Sequence, residues 1–225
     1  GQALLASGEP LAIAAILSLH PGPGRTYATF QPQHTEVMRR TFALANNIPM
    51  IRMAVSAESF RPEDGRTEML TGADIRRINA LYGSDGGPAF YSPEHIDSGL
   101  YRGLIEDGHL VAIAGTHVIS RRERVAVVGN VFTHPSYRGR GFARCVTSAV
   151  TERLLEICDD VVLTVDPNNT PAVTVYRELG YREAHRLIES SARRLDPIGL
   201  KPTLRRIAAR WRGRGRRGAL VAVPD

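Results

Sequence analysis

The residues with the clearest chemical potential lie in one short stretch, Tyr137-Arg138-Gly139-Arg140-Gly141-Phe142-Ala143. Two glycines one residue apart let the backbone take conformations closed to other residues, so that successive N–H groups can converge on an anion. Arg138 and Arg140 add full positive charge. An apolar run, Val125 to Thr133, comes before. After it, Phe142, Cys145, Val146, Ala149, Val150 and Leu154 repeat at i, i+3, i+4, i+7, i+8 and i+12. That spacing predicts a helix with one apolar face. Its amino-terminal end would aim a positive dipole and unpaired N–H groups at the same point. The assembly could hold a pyrophosphate. Taken alone it also reads as a tight strand-to-helix turn with solvated arginines. No Gly-Lys-Ser/Thr follows, which excludes a Walker loop, and the three-glycine spacing of a dinucleotide fingerprint is absent.

The flanking elements follow from patterning. Thr71 and Asp74 form a capping-box variant ahead of Ile75, Ile78, Leu81 and Tyr82, which repeat at helical spacing to Gly83. Ser92-Pro93-Glu94 opens a short second helix. Asp107-Gly108 joins two expected strands, Tyr101 to Glu106 and His109 to Ser120. Val161 to Val165 reads as a strand, Pro171 to Leu179 as a helix ended by Gly180, and Tyr181 to Ile188 as a last strand. From residue 69 the order is α-α-β-β-β-α-β-α-β, a mixed α/β domain with antiparallel hairpins leading into a β-α-β unit. Residues 1–66 are apolar but weakly patterned. There Leu11 to Leu19 is a buried strand or short helix, Thr35 to Ala45 a helix, Ile48 to Val55 β-like, and Phe60 to Arg66 a linker. The expected organisation is 1–66, 67–190 and a basic tail, 191–225.

Composition narrows the class. The 225 residues are 43% hydrophobic and 23% charged, near the globular average. No apolar run reaches the roughly 18 residues of a membrane span, and Leu11 to Leu19 lacks the basic region that precedes a signal-peptide core. The expectation is a soluble, cytoplasmic protein with no membrane partner. Two cysteines, Cys145 and Cys158, exclude a disulfide scaffold and a four-thiolate zinc site, and no metal is expected. From Lys201 to Asp225 one Lys and seven Arg stand against one Asp, a net +7; the other 200 residues hold 21 basic and 22 acidic side chains, a net −1. The high pI belongs to the tail. Arg205, Arg206, Arg210, Trp211, Arg212, Arg214, Arg216 and Arg217 fit an RNA-binding extension, a solvated one, or a basic helix packed on the body, with nucleic acid the less favoured.

Two motifs carry a family resemblance. Arg138-x-x-Gly141-x-Ala143 is similar to the Arg/Gln-x-x-Gly-x-Gly/Ala signature of the GNAT superfamily of acyltransferases, in its usual place after a strand and at the head of an apolar helix. Asn168-Asn169-Thr170-Pro171-Ala172, followed by Tyr176 and Gly180-Tyr181, resembles that family's second signature. The resemblance covers roughly residues 67–189. Gly115-Thr116-His117-Val118 and Gly129-Asn130-Val131 also resemble a bacterial two-part branch whose first half is a degenerate GNAT-like half-domain. Residues 1–66 are then expected to be that half, truncated at its start.

The resemblance implies an α/β fold with a mixed sheet and an acyl-CoA-dependent N-acyltransferase, acetyl-CoA being the expected donor. In the family, the strand before the turn splays from its neighbour and pairs with the pantetheine arm through its backbone, a role that falls to Val131, Phe132 and Thr133. The pyrophosphate is expected on the amides of Gly139, Arg140, Gly141, Phe142 and Ala143, with Arg138 and Arg140 beside it. Asn169 contacts the cofactor arm, caps its helix, or does both. Tyr176 is the expected general acid for the leaving thiolate, the alternative being a packed core aromatic. The sequence departs from relatives that place a Glu base on the strands before the turn: neither Val125 to Thr133 nor His109 to Ser120 contains an acidic residue. His117 or a water chain is left for that task. The expected acceptor is a small-molecule or peptide amine, and the assembly suggested is a homodimer. A CoA-binding sensor without turnover is the alternative.

Overall fold

The computed structural model describes residues 3–86, 90–196 and 200–214, the side chains of 201, 209 and 212–214 aside. In chain order the elements are β1 (Ala3–Ala6), α1 (Pro10–Leu19), β2 (Arg25–Phe30), α2 (Thr35–Thr41), β3 (Phe42–Ser56), β4 (Glu68–Leu70), α3 (Ile75–Gly83), α4 (Pro93–Asp97), β5 (Tyr101–Glu106), β6 (His109–Ser120), β7 (Val125–Thr133), α5 (Phe142–Leu155), β8 (Asp160–Val165), α6 (Thr170–Glu178), β9 (Arg182–Arg194) and α7 (Leu200–Arg214). The chain is a mixed α/β protein with parallel and antiparallel pairing. Its contacts form two compact units, one running to Met50 and resuming at Arg186, the other Ile51–His185. The divisions fall inside β3 and β9, whereas patterning suggests a first boundary at residue 66.

In the first unit, β1 pairs parallel with β2 and β2 antiparallel with β9. Along β2, Thr26, Ala28 and Phe30 turn inward while Arg25 and Tyr27 turn out, the period of a half-buried strand. Phe30, Met38 and Phe42 are fully buried with Ile13 and Leu17 of α1. The apolar run at Leu11 to Leu19 is therefore a helix, begun by Pro10 at its first position, and β3 starts where the expected helix Thr35 to Ala45 was to continue.

The second unit orders its strands β3-β8-β7-β6-β5-β4, with β7 and β8 parallel and the other pairs antiparallel. Asp107 and Gly108 take φ of +50° and +76°, the left-handed pair that a tight two-residue hairpin needs. The Thr71 N–H donates to Asp74 Oδ2 at 3.0 Å, so the capping variant forms as expected. One core lies under α5 and α6 (Val146, Val150, Leu154, Val173, Leu163) and another under α3 and α4 (Ile78, Leu81, Ile96, Ile113).

The stretch expected as a linker is fastened to the second unit. Arg61 N–H donates to the Leu179 carbonyl at 3.0 Å and Glu63 N–H to Ser148 Oγ at 2.8 Å. Arg144 reaches Glu63 at 2.6 Å and Glu178 at 2.8 Å, tying this strap to α5 and α6 at once. Gly180 sits under the strap with φ +94°, and a Cβ there would collide with the Ser59 carbonyl. Gly180→Ala is therefore expected to cost about 2–4 kcal/mol, from the left-handed conformation plus overpacking. Gly24→Ala, with nothing within 4 Å of its added methyl, should stay near wild type. Urea unfolding of both variants checks the contrast.

Candidate active site

The site is built where β7 parts from β8. The two strands pair in parallel through four rungs, Val125 with Asp160 to Val128 with Leu163, and the register ends there. β8 continues to Val165 against β3, while β7 continues to Thr133 against β6. Beyond Val128, one edge of β7 is thus left without a strand partner among the described residues.

A bulge causes the parting. Against β6, Gly129 faces Gly115 but Phe132 faces Ile113, so β7 carries one extra residue between them. Asn130 takes that place with φ +54°, a conformation that asparagine tolerates better than most residues. Three phenols hold it. Tyr82 donates to the Asn130 carbonyl at 2.5 Å, Tyr91 donates to Oδ1 at 2.9 Å, and Asn130 Nδ2 donates to the Tyr101 oxygen at 2.8 Å. Tyr82 and Tyr91 stack at 4.6 Å between centroids. Burial pushes the phenols of Tyr82, Tyr91 and Tyr101 up, so all three keep the protons this network uses. The sequence marks Asn130 only within the Gly129-Asn130-Val131 run. Its signal was an Asn after Gly in a β-pattern, with tyrosines scattered over three other elements.

On either side of the bulge the side chains are already employed. Val131 packs against the core under α5 and α6, and Phe132 against the core under α3 and α4. The backbone edge is what remains available. Thr133 Oγ1 is buried with no hydrogen-bond partner among the described residues.

Next to that edge is the glycine turn. Gly139 and Gly141 have φ of +79° and +81°, and nothing lies within 4 Å of a Cβ built on either. The glycines are thus demanded by backbone conformation, and the space above them is open. α5 begins at Phe142, with Gly141 as its cap. Gly141 itself accepts from Arg144 N–H and Cys145 N–H. The five amides of residues 139–143 have no acceptor among the described residues, and they cluster at a helix amino terminus, where anions are favoured.

The arginines divide their work. Arg138 donates through Nε to the Thr133 carbonyl at 3.2 Å, meets Asp85 at 2.8 Å and lies 5.7 Å from the Phe132 ring centroid. It braces the end of β7 against the turn, its charge partly offset by a carboxylate. Arg140 is exposed, lies 4.9 Å over the Tyr137 ring and meets no carboxylate among the described residues. Arg144 is spoken for by its two glutamates.

Asn169 Oδ1 accepts from Ala172 N–H at 3.3 Å, the capping role. Tyr176 is buried on α6, edge-on to Tyr181 at 6.0 Å, and burial pushes its phenol up to about 12. His117 is exposed on β6 at a second register shift, its ring lying where a side chain on Gly129 would have to go. It is thus across from the residue before the bulge, on a different element from Tyr176.

Neither cysteine is an activated nucleophile: burial pushes both thiols up, and Cys145 faces the strap beside Gly65. Alkylation by iodoacetamide at neutral pH should be slower at both than at a free cysteine, read by mass spectrometry. Asn130→Ala should cost about 2–3 kcal/mol in unfolding free energy, because it strands two phenols and removes a residue suited to positive φ. Thermal and urea unfolding of that variant check it.

Residues 99–189 match the family model described as FR47-like protein. Among solved structures the chain is similar to a GNAT-family structure from Novosphingobium aromaticivorans, at 22% identity over 84% of each chain and a TM-score of 0.62. It is also similar to a GCN5-related N-acetyltransferase from Kribbella flavida, at 21% identity over 74% of this chain and 68% of that one, with a TM-score of 0.58. A GNAT-family acetyltransferase from Colwellia psychrerythraea follows at 13% identity, 80% and 71% coverage and a TM-score of 0.58. A search of curated proteins returns no match. The solved structures share the fold with this chain, and the matched segment spans β5, β6, β7, the turn, α5, β8 and α6.

Proposed function

From the FR47-like family match across residues 99–189 and the fold shared with GNAT structures, we propose that the chain is a GNAT acyl-CoA-dependent N-acyltransferase that moves acetyl from acetyl-CoA to an amine. The observation that carries the reading is the run of five amides without an acceptor among the described residues, over two open left-handed glycines, set at the end of a strand edge that has no strand neighbour among them. A diphosphate fits the first feature and an amide-bearing linker fits the second. Arg140 supplies the uncompensated charge for the diphosphate, and Arg138 positions the turn on which it lands.

Acetyl-CoA, once bound, supplies an activated acyl group and a thiolate leaving group. The residues of the chain then do the rest. The acceptor amine attacks directly, without an acyl-cysteine, in keeping with the unreactive thiols. Tyr176 holds a proton firmly through neutral pH and gives it to the departing sulfur. Backbone N–H groups of β7 polarise the carbonyl. His117 or water takes the proton from the amine. The acceptor is a small-molecule or peptide amine.

A CoA-binding sensor is the second reading. The absence of any carboxylate on β6 and β7 favours it.

Titration calorimetry with acetyl-CoA, paired with a CoA-release assay over a panel of amines and peptides, tests the reading. Saturation at about 100 times Kd should add roughly 2.7 kcal/mol of stability, seen as a raised Tm. Arg140→Ala should weaken binding about 10-fold. Tyr176→Phe should bind normally and lose about 100- to 10,000-fold in kcat. A donor whose pKa burial has raised stays protonated until pH approaches about 12, so kcat should show no falling limb at the ordinary phenol value of 10.0. No heat with acetyl-CoA defeats the proposal. Binding without turnover of any amine moves the assignment to the sensor.

A further inference from the structure

The transferase reading leaves α7 unused. Leu200, Leu204, Ile207 and Trp211 stand at i, i+4, i+7 and i+11, one side of the helix, and are 56%, 61%, 48% and 76% exposed. The opposite side does the docking. Pro202 is buried, and Pro202, Thr203 and Arg206 line a hollow with His20 and Arg194 of the same unit. The helix rests on its unit through small and polar groups and turns its large apolar side chains outward, the reverse of an ordinary surface helix. Arg205 and Arg210 are exposed beside the stripe, and no acidic residue occurs between Leu200 and Arg214. In the same unit, α1 exposes Leu11 at 86% and Ile16 at 60% and carries no charged residue.

We propose that α7 is a docking surface for the face of an anionic lipid bilayer. The apolar stripe enters the boundary between headgroups and acyl chains, Trp211 takes the interfacial position that indole favours, and the flanking arginines meet lipid phosphates. Charge selects this occupant. The segment from Lys201 to Asp225 carries +7, so a second copy of the chain would set that charge against itself. RNA would answer the arginines but leave leucine, isoleucine and tryptophan in water. An anionic bilayer answers both faces. A helix lying in the membrane plane needs no spanning run, and none of the described helices is long and apolar enough to cross a membrane.

Trp211 is the sole tryptophan, so intrinsic fluorescence of the full chain reports on this stripe alone. With phosphatidylglycerol vesicles, the expected result is a blue shift and co-sedimentation, both weakened by salt and much weaker with phosphatidylcholine. Arg205→Gln with Arg210→Gln should lower the partition coefficient on the order of 30-fold. Leu204→Glu with Ile207→Glu should abolish binding while leaving Tm and far-ultraviolet dichroism unchanged. The proposal is overturned by no shift with phosphatidylglycerol or by equal binding to both lipids. Binding that survives Leu204→Glu with Ile207→Glu overturns it too. So does an equal blue shift produced by a homopolymeric RNA or by raising protein concentration alone.

Discussion

One extra residue in β7 governs the rest of the second unit. A sheet strand with a partner on each side has no backbone groups to offer. Placing Asn130 in a left-handed conformation shifts the register against β6, and pairing with β8 ends two residues before it. The asparagine cannot relax back into the sheet, because its carbonyl and both ends of its amide are claimed by tyrosines from α3, β5 and the segment before α4. The opening is a fixed property of the fold, held by part-buried neutral hydrogen bonds whose loss leaves polar groups unmet.

The glycine turn completes what the bulge begins. Arg138 joins the two, since its guanidinium binds the last carbonyl of β7 while its backbone enters the turn. This assigns the motif arginine a bracing task that its charge alone does not suggest. Arg140, with no carboxylate beside it among the described residues, keeps its charge uncompensated, which is why the proposed anion is assigned to it.

Much of this was legible in the sequence, for reasons of range. The Asp107-Gly108 hairpin and the capping variant at Thr71 are local signals that the structure repeats, and α5 forms where its apolar spacing predicts, with Val146, Val150 and Leu154 buried, Phe142, Cys145 and Ala149 half-buried, and the polar Thr147, Ser148 and Thr151 buried as well. Gly139 and Gly141 were readable because only backbone conformation demands them. What escaped depends on distant partners. β2 is six residues whose inward positions include a threonine and an alanine, and its meaning comes from β9 some 160 positions away. The 60–66 stretch has the composition of a linker, yet its backbone is satisfied by Leu179 and Ser148. The structural task of Asn130 escapes the sequence, because the phenols that explain it lie 29–48 positions off.

Main-chain atoms make up most of the proposed donor site: five amides, a strand edge and two residues without side chains. Recognition of that kind is blind to nearly every substitution that keeps φ and ψ. At the proposed site, substitutions that keep φ and ψ leave those contacts in place, so the demands on side-chain identity fall on a few positions, Arg140 and the Asn130 network among them. A fold shared at 13% identity, as with the Colwellia structure, is compatible with a site carried by backbone geometry.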